Sequence, residues 1–150
     1  MLVNDVDAAR LRRLAGLRPE GARVLSLYLD LEPTEFATAP ARESELTSAL
    51  DAAARLADES HLEHDALVAV RDDIERVREA LSGDGLDAKG ARALGVFACG
   101  PVDLFEVVKL PQPVATHVTI DDSPWIEPLV RVGSEPRLAV ALIDRHNLRL

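Results

Sequence analysis

Cysteine is nearly absent from this chain. Cys99 stands alone, so no intramolecular disulfide can form, which fits a reducing compartment. Aromatic residues are scarce as well: one Trp, one Tyr and three Phe. A core must therefore be built mainly from Leu, Val, Ala and Ile. No apolar run approaches membrane-spanning length, and the N-terminus lacks a signal peptide's apolar centre. A soluble, cytoplasmic protein with no membrane partner is the expectation. Positive charge is outnumbered, and the net charge is −9. Phosphate backbones reward Lys and Arg, so the chain is a poor general nucleic-acid binder and DNA is not an expected partner. A Gly-rich phosphate loop, a nucleophile elbow and zinc-finger spacing are all missing. No catalytic residue, metal or cofactor is assigned on these grounds.

What is present has the length of one domain, 150 residues with about half of them apolar. Asn4 or Asp5 is placed to cap a first helix running to about Leu17. Val24–Leu31 reads as a strand, with Leu25, Leu27, Leu29 and Leu31 alternating with Val24, Ser26, Tyr28 and Asp30. Its all-Leu face must be buried. Glu32–Ala41 reads as a loop, with Pro40 in the first turn of the next helix. That helix carries Leu46, Ala49, Leu50, Ala53 and Leu56 at spacings of a helical face. Ser60 and Glu63 fit a capping box that restarts the helix. Leu67, Val70, Ile74, Val77 and Leu81 then repeat at spacings of 3 and 4. The pair predicts a helical hairpin over about 42–81.

Asp87–Ala93 reads as a turn or partial helix. Two β-branched apolar runs, 94–99 and 103–110, meet at Gly100-Pro-Val-Asp103, the mark of a hairpin. A further strand at 116–120 runs into Ser123-Pro124, a plausible helix N-cap with proline at the first helical position. The expected fold is α/β: a mixed sheet of about four strands (24–31, 94–99, 103–110 and 116–120) packed with the hairpin, in two or three layers. Gly133–Pro136 reads as a linker. Leu138–Ile143, a turn at Asp144–Asn147 and a strand from Leu148 read as the start of a second α/β domain over 137–150, so the first domain is expected over 1–132 and the chain as a fragment.

Several residues carry chemistry-bearing side chains. His61 and His64 lie three apart with Glu63 and Asp65 nearby, but no third metal ligand has matching spacing, and a solvated helix face is the preferred reading. Asp121-Asp122 suits a helix cap better than a cation site. Asp144-Arg-His146 sits in a turn. Cys99 lies on an apolar strand and is expected buried and inert. Trp125 is assigned to packing in preference to base stacking. The Glu32–Ala41 loop is the best binding candidate, through Glu35, Phe36, Thr38 and the nearby Arg42, although Phe36 tucking back over the sheet is the preferred reading of that side chain.

The order of Ser26-Leu-Tyr28, a long helical hairpin, Phe97-Ala-Cys-Gly100, Pro111-Gln-Pro113 and Thr116–Ile120 resembles the N-terminal domain of the archaeal and eukaryotic class-1 peptide release factors. It is closer still to their bacterial relatives, through Tyr28-Leu-Asp-Leu31 and Glu35-Phe-Ala-Thr38 followed by Ala41-Arg42. The resemblance covers roughly Val24–Val132. It implies a ribosome-associated protein acting on peptidyl-tRNA, in termination or ribosome rescue, with tRNA and ribosome as partners. The family's hydrolytic Gly-Gly-Gln loop would lie beyond Leu150, so this chain is expected to recognise rather than catalyse, and the full-length protein to be a possible peptidyl-tRNA hydrolase.

The decoding elements are rewritten. The family's Asn-Ile-Lys-Ser loop corresponds to Leu56–Asp65, which holds Asp58, Glu59, Glu63 and Asp65 and no Lys or Arg. Over Arg42–Leu81 there are eleven acidic and five basic residues, a formal −6. The Tyr-x-Cys-x-x-x-Phe positions align with Thr119, Asp121 and Trp125, and none is retained. The resemblance therefore implies fold and ancestry without stop-codon reading by the usual motifs. Two other readings stay open: a protein-interaction module that presents the acidic hairpin, and a metal-dependent small-molecule enzyme using Asp121, Asp122, His61 and His64. Oligomeric state is not read from the sequence.

Overall fold

The computed structural model describes residues 6–31, 39–82 and 91–133. Its elements run α1 (Ala8–Ala15), β1 (Val24–Asp30), α2 (Ala39–Glu59), α3 (His64–Leu81), β2 (Ala93–Cys99), a 3-10 turn (Gly100–Val102), β3 (Leu104–Leu110), β4 (His117–Asp121) and α4 (Glu127–Gly133). The strands form one sheet in the order β3-β2-β1-β4. The α/β class and the four strands are as the sequence indicates. The sheet is not mixed, however: all three pairings are antiparallel. The long hairpin is inserted between β1 and β2, and it returns the chain beside β1 in the opposite direction.

β1 is central, between β2 and β4. Its Leu25, Leu27 and Leu29 join Leu94 and Val96 of β2 beneath Leu50, Ala53, Ile74 and Val77 of the hairpin. Alternation marks this face for burial. The other face is buried too: Val24, Ser26 and Tyr28 are fully enclosed. There Val24, Tyr28, Phe97, Val108 and Leu110 meet Leu14 of α1 and Leu129 of α4. The domain thus has three layers, helical hairpin, sheet, and a pair of short helices. Tyr28 lies opposite Gly95. A Cβ at Gly95 would stand 3.2 Å from the Tyr28 ring, so glycine there makes room for the domain's only tyrosine.

The helix ends depart from expectation in three places. Asp7, rather than Asn4 or Asp5, caps α1, accepting from the Arg10 N–H at 2.8 Å; Asn4 and Asp5 lie outside the described residues. The Ser60–Glu63 capping box does not form. Ser60 Oγ donates backward to Leu56 O at 2.5 Å, Glu63 makes no side-chain cap bond, and His61 turns the chain with φ 55°. Ser and Thr often bond back to the preceding helical turn, which here ends α2 rather than starting α3. Ser123-Pro124 does not start a helix either; α4 begins at Glu127. Residues 83–90 and 134–150 lie outside the described residues, and with them most of the predicted 87–93 turn, the 134–136 part of the linker and the second domain. Gly133, assigned to that linker, ends α4.

The turn between β2 and β3 is fixed from α3. Asp73, 1% exposed, accepts from Gly100 N–H at 3.0 Å and pairs with Arg76 at 2.9 Å. Arg76 in turn lies over the Phe105 ring, 5.1 Å from its centroid. A Cβ at Gly100 would press on both Asp73 and Arg76, so this glycine admits the carboxylate to the backbone. Asp103 closes the turn in the left-handed region at φ 60°, a conformation that Asp tolerates.

Ile74 is 3% exposed in the main core. Ile74→Ala should cost about 2–5 kcal/mol. A urea melt showing a loss below about 1 kcal/mol would refute this assignment. Burial raises the Asp73 pKa above its ordinary 3.8, against the opposing pull of Gly100 N–H and Arg76. The folded chain then holds this proton more tightly than the unfolded chain, so the contribution of Asp73 to stability falls as pH rises through the interval just above 3.8. Asp73→Asn should flatten the dependence of the urea midpoint on pH in that interval. An unaltered slope would contradict the assignment.

Candidate functional site

Among the described residues, three of the regions that gather polar side chains hold residues singled out by the sequence or a groove. The first is the segment after β4. Ser26 and Tyr28 point to the same face of β1, one strand-repeat apart. Ser26 Oγ accepts from Trp125 N–H at 3.0 Å, and Tyr28 OH donates to Trp125 O at 2.5 Å. Both backbone groups of Trp125 are thus taken by side chains from a strand almost a hundred residues earlier. Its indole stands edge-to-face against Tyr28, with ring centroids 5.4 Å apart, and against His117 at 4.9 Å. Burial pushes the Tyr28 hydroxyl pKa up, which keeps it a donor. Trp125 is a packing residue here, as its residue type and position suggest.

Thr119 and Asp121 share that face of the sheet. Their register partners are Ser26 and Val24, whereas Val118 and Ile120 turn toward the hairpin. Of the three rewritten decoding positions, Thr119 is half-buried with an Oγ1 that has no hydrogen-bond partner among the described residues, and Trp125 is packed. Asp121 is exposed and accepts from Asp122 N–H at 2.7 Å. The predicted helix cap at Asp121-Asp122 is therefore a local strand-end turn, several residues short of α4.

The second region is a groove of about 430 Å³ between the flank of α2 and β4. Glu45, Ser48, Ala52, Arg55 and Glu59 line its helical side, and Thr116 and Val118 line its strand side. At one end, Thr116 Oγ1 donates to Glu45 Oε2 at 2.7 Å while accepting from Asp30 N–H at 3.0 Å, which ties helix, edge strand and central strand together. The groove was not anticipated. Its only trace in the sequence is the run of small residues, Ser48 and Ala52, at helical spacing.

The third region adjoins the Asp73 clamp. Cys99 is fully buried, as expected of its apolar strand, and burial followed by the nearby Asp73 carboxylate pushes its thiol pKa up. A thiol held protonated and enclosed is a poor nucleophile. At the end of the hairpin, Asp58 pairs with Arg71 at 2.6 Å, joining α2 to α3. His61 lies in the turn and His64 opens α3. Among the described residues, no group of three or more His, Cys, Asp and Glu is arranged to hold a metal ion. Also among them, no helix is long and apolar enough to cross a membrane. The loop candidates Glu35, Phe36 and Thr38 lie outside the described residues, as do Asp144 and His146. Arg42 falls within α2, but its side chain is likewise outside them.

No family model matches the chain, and no curated protein matches it. Among solved structures, it is similar to a chain described as an archaeal protein, with a TM-score of 0.58 at 17% identity. The match covers 87% of this chain and 36% of that one, so this chain spans about a third of the length of its structural neighbour. At this identity the likeness is one of fold.

Proposed function

We propose that this chain is the recognition domain of a longer, release-factor-like protein that works at the ribosome on peptidyl-tRNA, without catalysis of its own and without reading stop codons through the usual positions. The observation that carries this reading is the arrangement of the α2–α3 hairpin. It leaves the central strand after Ser26-Leu-Tyr28, turns at 60–63, and returns into the strand that ends in Phe97-Ala-Cys99, just before Gly100. A longer archaeal structural neighbour supports placing the domain within a larger protein.

The charge of the hairpin argues against decoding. A decoder meets unstacked mRNA bases with donors, stacking surfaces and positive charge near phosphate. Asp58, Glu59, Glu63 and Asp65 supply carboxylates around the turn instead, and the one tryptophan is held against Tyr28 and His117. Hydrolysis, on this reading, belongs to a loop outside the chain.

The full-length protein should bind ribosomes equally whether a stop or a sense codon fills the A site. Pelleting with defined mRNAs measures this. A stop-codon preference of roughly tenfold, lost on Thr119→Ala or Asp121→Ala, would overturn the codon-independent part of the reading. Absence of ribosome binding would overturn its ribosomal part. Release of peptide from peptidyl-tRNA by this chain alone would overturn the non-catalytic part.

A further inference from the structure

Among the described residues, β4 has a strand on one side only. The direction of the β1 peptide groups shows what its other side offers. Asp30 N–H reaches Thr116 Oγ1, on the β4 side, while Leu31 N–H reaches Arg92 O, on the β2 side. Alternate residues of β1 therefore address alternate neighbours. Tyr28 and Ser26 share the direction of Asp30, and their register partners are His117 and Thr119. His117 and Thr119 thus exchange hydrogen bonds with β1, which turns the peptide groups of Val118 and Ile120 to the open edge. An outward row of this kind is a template for another strand.

The groove flanks that edge. Glu45, Ser48, Ala52, Arg55 and Glu59 recur at spacings of 3 and 4 and so form one stripe of α2. Its middle is small, at Ser48 and Ala52, leaving room beside Val118 for modest side chains. Glu45 and Glu59 stand at its two ends, with Arg55 a cation on the same stripe one turn before Glu59. Glu45 and Glu59 stand roughly 21 Å apart along the helix axis. An extended chain covers that distance in about six steps, so a seven-residue segment places its first and last side chains on the same face, one by each carboxylate.

We propose that the groove between α2 and the open edge of β4 binds an extended, basic segment of a protein partner as a fifth strand. The segment's backbone pairs with the peptide groups of Val118 and Ile120. Lys or Arg at its ends meets Glu45 and Glu59, and small apolar residues between them enter the groove. Backbone pairing supplies affinity, and the alternate side chains supply selectivity. The formal −6 of the hairpin favours a basic peptide over RNA, whose phosphates it repels. This inference stands apart from the ribosomal reading, since it rests on the strand edge and the α2 stripe alone.

The probe is a fluorescent peptide, Lys-Thr-Val-Thr-Val-Thr-Lys, titrated against the chain near physiological salt. Saturable binding is expected, with the amide exchange of Val118 and Ile120 slowed by roughly tenfold in the complex. Changing both lysines to glutamate, or methylating the central peptide nitrogens, should each weaken binding by roughly tenfold. Glu59→Lys, at an exposed position that does not threaten folding, should do the same. No saturable binding up to about 1 mM would overturn the proposal. Binding that leaves the two amides unprotected would also overturn it, as would equal competition by an oligouridine. Protection of those amides that grows with protein concentration in the absence of peptide would assign the edge to a second copy, and would likewise sink it.

Discussion

The fold depends on the burial of β1 from both sides, and that depends on two hydroxyls being satisfied. Ser26 and Tyr28 are completely enclosed. An enclosed hydroxyl without a partner costs roughly 1–3 kcal/mol, comparable to the gain from burying an apolar side chain. The backbone of Trp125 provides both partners at once. The second core therefore tolerates a serine and a tyrosine at its centre only because the segment after β4 folds back over them. The same bonds explain why Ser123-Pro124 opens no helix. With the C=O of Trp125 committed to Tyr28 OH, the chain stays non-helical until Glu127.

What the sequence reveals about this architecture follows from how local each signal is. The Leu67–Leu81 stripe and the all-Leu face of β1 are periodic within one element, so the hairpin and the first core are legible. The second face of β1 is not. Val24, Ser26, Tyr28 and Asp30 read as half polar until Trp125, nearly a hundred residues later, supplies partners for Ser26 and Tyr28. Ser60 offers both a forward cap and a backward bond to Leu56, and spacing does not decide between them. The groove was illegible because no local pattern says that β4 lies at the edge or that α2 runs beside it. The loop candidates Glu35, Phe36 and Thr38 lie outside the described residues, so only Arg42 of that group is placed, on α2.

Among the described residues Asp73 is the one buried carboxylate, and it fixes a turn. Asp73 loses hydration by entering the interior, which is why burial leads the causes of its raised pKa. Its return is geometric: one carboxylate holds Gly100 and, through Arg76, reaches the ring of Phe105. Removing one partner from such a set leaves a buried group unsatisfied, so its worth lies in specifying the β2–β3 connection more than in net stability.

An open strand edge invites pairing with another copy of the same chain, and proteins counter this with charge or cover. Here Glu45 and Glu59 stand at the two ends of the groove beside β4. In a pairing of two copies through this edge, each would bring its own carboxylates to the same junction, within a chain already at −9. Each close like-charged pair at a surface is worth only about 1 kcal/mol. That is enough to separate the two, because a second copy and a cationic segment would gain similar backbone pairing along the same edge. The same carboxylates that oppose a second copy attract a cationic segment, so one set of charges acts against self-association and in favour of a basic partner.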